Sequence, residues 1–226
     1  MAVASSLAPA WSPPRDRAAP TPAQQRAAEG LAAELRRRIA GEVRFDAGSR
    51  ALYATDLSIY RQVPIGVVIP KTAEDVEAAV AACRSRGVPI LGRGCGTSLS
   101  GQACNVAVIF DFSKYMNRIL ALDPDGGRAR VQPGVINDEL RLAAQRYGLT
   151  FAPDPATHRY CTIGGNIGNN SCGVHTVMGG KTVDNVEELE ILTYDGLRMR
   201  VGATSAEQLD LILQGGGRRA EIYRRL

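Results

Sequence analysis

The chain carries the glycine-rich stretch Gly92-Arg93-Gly94-Cys95-Gly96-Thr97-Ser98-Leu99-Ser100-Gly101. A second stretch of this kind is Cys161-Thr162-Ile163-Gly164-Gly165-Asn166-Ile167-Gly168-Asn169-Asn170. Glycine accepts positive φ angles and lets a ligand approach the backbone without a Cβ in the way. A run of exposed backbone N–H groups forms a concavity that binds anions such as phosphate. Two such stretches in one chain predict a single extended, phosphorylated cofactor.

The first stretch follows a predicted β-α-β unit. Residues 65–69 form a short apolar run between prolines, which is typical of a buried strand. Thr72-Ala73-Glu74-Asp75 has the spacing of a capping box, and the helix that it opens is predicted to end at Gly87. Residues 88–91 and 106–110 predict two further strands. The glycine loop then follows the C-terminal end of a strand, where α/β folds bind ligands.

The remaining elements predict a second unit. They are two hairpins, at 119–122 with 128–131 and at 188–194 with 197–201, and helices over 136–147 and from residue 218 on. The second glycine-rich stretch falls in a long segment, 153–181, that is predicted to be irregular. The last helix stops without a cap or a closing element, so we expect the chain to be the front part of a longer protein.

The N-terminal region differs from the rest in composition. Residues 1–28 are rich in alanine and proline, which predicts a disordered tail, although an arginine-rich surface helix is also predicted over about 21–39. The predicted division is a tail at 1–28, a helical segment at 29–61 and a binding domain at 62–226, with subdomains at about 62–116 and 117–226.

Charge and cysteine content exclude several classes of protein. Basic residues outnumber acidic ones by 27 to 23, but the excess lies at the chain ends, and 41–217 hold 17 basic against 19 acidic residues. A nucleic-acid surface needs clustered positive charge on the folded part, so we expect no such partner. No apolar run reaches the length of a membrane span. Five cysteines without a C-x-x-C pair indicate reduced thiols and a cytoplasmic protein.

The sequence contains partial matches to three common site motifs. Leu99 occupies the third glycine position of G-x-G-x-x-G, which argues against a nicotinamide Rossmann site. His175 occupies the first glycine position of a P-loop that would end at Gly180-Lys181-Thr182, which argues against a nucleoside triphosphatase. The pairs His158-x-x-Cys161 and Cys172-x-x-His175 have a spacing that zinc accepts. A zinc-stapled, non-catalytic binding module therefore remains an alternative of a different class.

Several segments together carry a family likeness. The run from Val88 to Asp111 resembles the pyrophosphate loop of FAD-binding proteins of the vanillyl-alcohol oxidase type, the PCMH fold. The segments Val131-Gln132-Pro133-Gly134-Val135 and Pro153-Asp154-Pro155-Ala156-Thr157, with 162–173, resemble later landmarks of that fold. Residues 183–196 resemble its closing hairpin. Within the family the chain is most similar to the glycolate oxidase subunit and D-lactate dehydrogenase branch.

The resemblance implies an α+β protein of the PCMH type, in which FAD lies between two α/β subdomains. The implied cofactor-binding residues are Gly92, Arg93, Gly94, Cys95, Gly96, Thr97, Ser98, Gly101, Pro133, Gly134, Pro153, Asp154, Thr162, Ile163, Gly164, Gly165, Asn166, Gly168, Asn169, Asn170, Cys172 and Gly173. Some members attach FAD through a histidine at the position that Thr97 occupies here, and Cys161 has an imperfect spacing for a thioether. We therefore expect FAD to be non-covalent and no metal to be bound.

The same resemblance implies the reaction. In this branch a hydride passes from C2 of a 2-hydroxy acid to the flavin, and a 2-oxo acid results. Family members carry substrate-binding and catalytic groups in a cap domain that this chain lacks, so no catalytic residue is assigned. A C-terminal cap and an iron–sulfur region, or a separate subunit, are the expected partners. An alcohol oxidase or an ether-lipid synthase of the same fold remains an alternative.

Overall fold

A four-stranded sheet dominates the first half of the structure, and two hairpins dominate the second half. The computed structural model describes residues 22–226. The helices are α1 (Pro22–Arg38), α2 (Ala47–Leu52), α3 (Ala73–Ser85), α4 (Asn137–Gln145), α5 (Ile163–Asn169), α6 (Thr176–Gly179), α7 (Ala206–Gly215) and α8 (Gly217–Tyr223), with a 3₁₀ turn at Thr182–Asn185. The strands are β1 (Glu42–Arg44), β2 (Gly66–Ile69), β3 (Ile90–Arg93), β4 (Val108–Asp111), β5 (Ile119–Asp123), β6 (Arg128–Val131), β7 (Glu188–Leu192) and β8 (Arg198–Gly202).

The sheet has the strand order β1-β2-β4-β3. Strands β2, β4 and β3 run parallel, and β1 pairs antiparallel with β2 at the edge. Every residue of β2 and β4 is buried, as expected for central strands of a sheet covered on both faces. Leu31 and Leu35 of α1 and Val80 and Cys83 of α3 pack in one core with this sheet. The predicted β-α-β unit is confirmed, although the strand predicted at 88–91 begins after Pro89.

Helix α3 forms where its sequence predicts it. The Thr72 side chain accepts a hydrogen bond from the Asp75 backbone N–H at 3.2 Å, which satisfies one of the free donors of the first turn. Gly87, with φ of +62°, follows the last turn. Asp75 is 6% exposed and accepts hydrogen bonds from the backbone N–H groups of Ala40 and Lys71. These contacts hold the start of α3 against the end of α1.

The second half contains the two predicted hairpins. β5 pairs with β6 and β7 pairs with β8, both antiparallel. A small core of Val135, Leu140 and Ile163 joins α4 and α5 to this part of the chain. Tyr194 links the second hairpin to the first half, because its hydroxyl donates to the Val88 carbonyl at 3.0 Å. Arg198 adds an ion pair to Glu77 of α3 at 2.9 Å.

Four features differ from the sequence prediction. Residues 22–28, predicted as part of a disordered tail, belong to α1, and residues 1–21 lie outside the described part of the chain. β1 and α2 were not predicted, and β1 joins the sheet that was assigned to the domain beginning at residue 62. α7 was also missed, although Ser205 and Gln208 form a capping box at its start. The segment predicted to be irregular contains α5 and α6.

None of the helices within 22–226 has the length and apolar character needed to cross a bilayer.

Candidate cofactor-binding site

The two glycine-rich stretches lie against each other. β3 ends at Arg93, and the chain then passes Thr162, which is the N-cap residue of α5. A Cβ built on Gly94 would lie 2.1 Å from the Thr162 Oγ1, so this position has no room for a side chain. Thr162 is only 2% exposed and forms a β-bridge with Ile136. The structure therefore brings together the two segments that the sequence assigned to one site.

The first stretch is an open loop with free backbone donors. Gly96 has φ of +71°, a conformation that residues with a Cβ rarely adopt. None of the N–H groups of residues 94–99 donates a hydrogen bond to an acceptor in the part of the chain that the structure describes. Successive N–H groups without partners at the end of a strand can bind an anion. These N–H groups are therefore free for a ligand, and the binding of the pyrophosphate by this loop stays a prediction.

The second stretch is a short helix whose backbone donors are occupied. The N–H groups of Ile163 and Gly164 donate to the carbonyl oxygens of Val135 and Pro133, both at 2.8 Å. The Gly165 N–H donates to the Thr162 Oγ1 at 3.1 Å, and the Asn166 N–H donates to the Thr162 carbonyl. Because Thr162 caps a helix there, the N–H groups of residues 163–166 are not free to bind an anion as those of the first loop are.

Two buried amides, Asn166 in α5 and Asn137 at the start of α4, each have an atom without a partner among the described residues. Asn166 is 1% exposed, and its Nδ2 has no acceptor among the described residues. Asn137 is fully buried, and its Oδ1 likewise has no donor, whereas its Nδ2 donates to the Pro153 carbonyl at 2.9 Å. An unsatisfied buried polar atom costs free energy unless a ligand or an ordered water completes its hydrogen bonds. The predicted site residues Pro153 and Asn166 thus lie in a region with unused hydrogen-bonding capacity.

Asp154 forms a close pair with His175. The Asp154 Oδ2 lies 2.5 Å from the His175 Nδ1, and its Oδ1 accepts the His175 backbone N–H at 3.2 Å. Burial alone would raise the pKa of Asp154, but the hydrogen bonds from His175 hold that pKa below its ordinary value. The Gly173 Cα lies so close to the Asp154 backbone that a Cβ there would be 2.1 Å from the Asp154 carbonyl oxygen. Predicted residues 154 and 173 are therefore in contact.

The candidate zinc ligands are not brought together. The His158 Nδ1 lies 2.8 Å from both carboxylate oxygens of Asp138, while His175 pairs with Asp154. Cys161 is buried, and burial raises the pKa of its thiol, whereas zinc binds the thiolate. Across residues 22–226, no three His, Cys, Asp or Glu side chains converge on a point that could hold a metal ion.

Further predicted residues lie in the Pro133-Gly134 turn and at the C-terminal end of α5. Gly134 is buried, and its N–H donates to the Met116 carbonyl at 2.8 Å. The Pro133 carbonyl accepts from α5, so this turn connects the end of the first sheet with the second stretch. Gly168, Asn169 and Asn170 are exposed at the opposite end of α5 from Gly94.

Residues 53–58, to which the sequence analysis assigns no role, enclose the first loop. The Leu57 N–H donates to the Gly96 carbonyl at 3.0 Å, and the Asp56 carboxylate accepts the Ala103 N–H at 3.2 Å. The Tyr53 hydroxyl donates to the buried Asp111 at 2.6 Å, and burial followed by this contact raises the pKa of Tyr53. The spacing of Asp56 and Ser58, which is typical of an Asx turn, was the available signal.

Comparison with known proteins identifies the family. Residues 64–202 match the family described as FAD binding domain. The chain belongs to this family. The match includes both glycine-rich stretches, the Pro133-Gly134 turn and the second hairpin, and it confirms FAD as the predicted cofactor.

Curated relatives have names that refer to 2-hydroxy acids. The glycolate oxidase subunit GlcD of Escherichia coli is 40% identical over 153 residues, which cover 67% of this chain and 30% of that protein. The D-2-hydroxyglutarate dehydrogenase of Pseudomonas putida is 35% identical over 188 residues, or 81% of this chain and 19% of that protein. The chain therefore spans less than a third of the length of these relatives.

Solved structures confirm the predicted α+β fold of the PCMH type. An alkyldihydroxyacetonephosphate synthase superposes with a TM-score of 0.69 at 23% identity, covering 80% of this chain and 36% of the other. The 6-hydroxy-D-nicotine oxidase of Arthrobacter nicotinovorans superposes with a TM-score of 0.64 at 28% identity, covering 73% of this chain and 36% of the other. At such low identity the first of these establishes the fold alone.

The donors in the structure fit FAD. The cofactor carries a pyrophosphate, which needs several donors close together, and residues 94–99 present free N–H groups in one loop. Its flavin carries carbonyl and ring-nitrogen acceptors, and the buried Asn166 Nδ2 is a donor without a partner. Both kinds of donor lie on segments that meet at Gly94 and Thr162.

Proposed function

We propose that this chain is the FAD-binding part of a flavin-dependent oxidoreductase that converts a 2-hydroxy acid to a 2-oxo acid. The observation that carries the proposal is the contact of Gly94 with Thr162, which joins the free N–H groups of the first loop to α5. The relatives named glycolate oxidase subunit, D-2-hydroxyglutarate dehydrogenase and D-lactate dehydrogenase support the substrate class.

The chain's own residues would bind and orient the cofactor. The N–H groups of residues 94–99 would hold the pyrophosphate, with Gly92, Thr97, Ser98 and Gly101 shaping that loop. The turn at Pro133-Gly134, the pair Pro153-Asp154 and the segment 162–173 would hold the flavin and the rest of the dinucleotide. FAD, when bound, supplies the hydride acceptor. We propose a non-covalent cofactor, because Thr97 cannot form the histidyl link known in the family.

Substrate contacts are proposed to come from outside this chain. The chain covers 30% and 19% of the two relatives described above, which leaves room for a cap and an iron–sulfur region. The word "subunit" in the name of the first relative favours an assembly of several chains. We accordingly propose that a cap region or partner subunit binds the carboxylate of the 2-hydroxy acid, and that the assembly is cytoplasmic.

The test begins with the visible absorption spectrum of the purified chain after incubation with FAD and removal of free cofactor. We expect a yellow protein that releases its flavin into the supernatant on acid precipitation. A protein that stays colourless, both alone and when joined to the proposed cap region or partner subunit, would contradict the proposal. Glycolate, D-lactate and D-2-hydroxyglutarate, added without oxygen to the joined protein, should then bleach the flavin. Bleaching by a simple alcohol alone would instead indicate an alcohol oxidase of the same fold.

A further inference from the structure

The first loop is closed at its base by the side chain of Arg93. This residue ends β3, and its Nη1 donates to the carbonyl of Ala103 at 2.6 Å, on the far side of the loop. Its Nη2 donates to the carbonyl of Thr55 at 2.9 Å, in the segment that encloses the loop. One guanidinium group thus connects both ends of the loop to a third piece of chain, which requires the fixed fork of donors that arginine provides.

Asp56 also binds Ala103, the residue whose carbonyl Arg93 contacts. Its Oδ2 accepts the Ala103 N–H at 3.2 Å, so both backbone groups of Ala103 are bound, one by each side chain. Its Oδ1 accepts the Ser58 N–H at 2.9 Å and also binds the Ser58 hydroxyl. Burial would raise the pKa of Asp56, but these hydrogen bonds and the nearby Arg93 hold it below its ordinary value. The carboxylate is therefore ionised near neutral pH.

The guanidinium group of Arg93 is itself fixed. It lies over the ring of Tyr53, 5.4 Å from the ring centroid, and the Tyr53 hydroxyl donates to the buried Asp111. The loop turns directly over it, since a Cβ on Gly96 would be 2.4 Å from the Arg93 Nη2. The Gly96 carbonyl is held in turn by the Leu57 N–H. Arg93 and residues 53–58 therefore contact the loop at both Gly96 and Ala103.

We propose that Arg93 and Asp56 are positioning residues, which hold the 94–99 loop in its binding conformation before the cofactor arrives. The inference rests on the proposed function, in which this loop binds the pyrophosphate of FAD. Two donor nitrogens of Arg93 are engaged by protein carbonyls, so its contribution to affinity comes through the loop. A loop that is ordered in advance loses less conformational entropy on binding, which strengthens the complex.

The alternative role is direct attraction between Arg93 and the phosphates, and substitutions separate the two roles. Arg93→Lys keeps the positive charge but cannot bridge Ala103 and Thr55 together. If attraction mattered most, this variant would keep its affinity for FAD. Asp56→Ala removes a negative charge near the anion site, which by attraction alone would strengthen binding. Loss of the loop support has the opposite effect, so the sign of the change discriminates between the roles.

The experiment measures two quantities on the full chain: ¹⁵N order parameters of residues 94–103 without FAD, and FAD affinity by flavin fluorescence. For Arg93→Lys and Asp56→Ala we expect order parameters that fall from rigid values towards about 0.6. We also expect FAD affinity weakened by about tenfold to a hundredfold, as for the loss of a hydrogen bond to a charged group. Thr72→Ala, which removes the α3 cap, is the control and should lower the unfolding temperature without changing either quantity.

Three results would count against the inference. They are wild-type affinity in Arg93→Lys, tighter binding in Asp56→Ala, or an unchanged order of the loop in both variants. Failure of the proposed function has a different signature, because the unsubstituted chain would then not bind FAD. The order parameters would still report, in that case, whether Arg93 and Asp56 hold the loop.

Discussion

The two glycine-rich stretches have similar compositions but differ in whether their backbone N–H groups are hydrogen-bonded within the protein. In the first, the N–H groups of residues 94–99 have no protein acceptor within the described structure. In the second, the N–H groups of residues 163–166 all donate to nearby protein oxygens. Glycine keeps donors available to a ligand in the loop, whereas in α5 it lets the helix approach the Pro133-Gly134 turn. A count of glycines alone does not distinguish these roles.

The difference has a local cause. Thr162 has extended backbone angles and a side-chain oxygen, and it caps α5 as Ser, Thr, Asp and Asn commonly do. The first loop has no comparable residue that starts a helix after β3, and a turn at Gly96 with positive φ directs the chain elsewhere. The comparison leads to four predictions about stability and FAD affinity.

Gly94→Ala should have the largest effect, because it separates the two stretches. The new Cβ would overlap Thr162, and we expect the free energy of unfolding to fall by about 2–3 kcal/mol, in the range for overpacked cores. FAD affinity should fall as well. Chemical denaturation of Gly94→Ala with and without Thr162→Ala tests the cause. The additional loss should shrink in the double variant, and equal losses in both backgrounds would contradict the contact.

Gly164→Ala and Gly168→Ala compare two positions of the same helix. A Cβ at Gly164 would lie 2.8 Å from the Pro133 Cβ, whereas a Cβ at Gly168 would meet nothing within 4 Å. We expect a loss of about 1 kcal/mol in the first variant and a gain of about 0.5–1 kcal/mol in the second, from helix propensity. Thermal unfolding measures both. A gain in Gly164→Ala would show that close packing does not explain this glycine.

Gly96→Ala tests the loop conformation, with Gly148→Ala as its control. Both glycines have φ of +71°, but Gly148 has open space around it. The left-handed backbone should cost each variant about 1 kcal/mol of stability, and Gly96→Ala should lose more because its Cβ would also meet Arg93. Only Gly96→Ala should weaken FAD binding, by about tenfold or more, since it also disturbs Arg93. Equal FAD affinities in a fluorescence titration of the two variants would refute this role of the loop.

The smallest effect concerns pH and the pair of Asp154 with His175. The pKa of Asp154 is lowered in the folded chain, so its stabilising contribution is present above the ordinary value of 3.8 and is lost as pH falls through the lowered value. Asp154→Asn should remove that dependence. Urea denaturation below pH 4 should then give a shallower loss of stability in the variant. An identical slope in both proteins would argue against the paired carboxylate.

Much of the fold could be predicted from patterns with a direct physical cause. The apolar run before the first loop gave β2, the Thr72 spacing gave the start of α3, and the turn residues of both hairpins gave four strands. These elements depend on burial, capping and turn chemistry, which are local properties of the sequence. The three residues of β1, by contrast, form a strand because β2 has a free edge beside them. Such tertiary pairing leaves no periodic signal in so short a segment.

The site was predictable in its main segments but less so in its details. Glycine content identified both stretches, yet it concealed α5, since five residues of low helix propensity (Gly164, Gly165, Asn166, Gly168 and Asn169) fall within its seven. The contacts of Arg93 with Ala103 and Thr55 join three pieces of chain. No sequence pattern predicts whether a guanidinium group donates its hydrogen bonds to protein carbonyl oxygens or to the phosphates of a ligand. The role of 53–58 therefore emerged only from the structure.

Amide hydrogen exchange with and without FAD, measured residue by residue, tests the central claim most directly. We expect the N–H groups of residues 94–99 to exchange rapidly in the free chain and to become protected when FAD binds. Those of residues 163–166 should be protected in both states, because their acceptors belong to the protein. Protection gained at 163–166 with none at 94–99 would contradict the assignment of the first loop to the pyrophosphate.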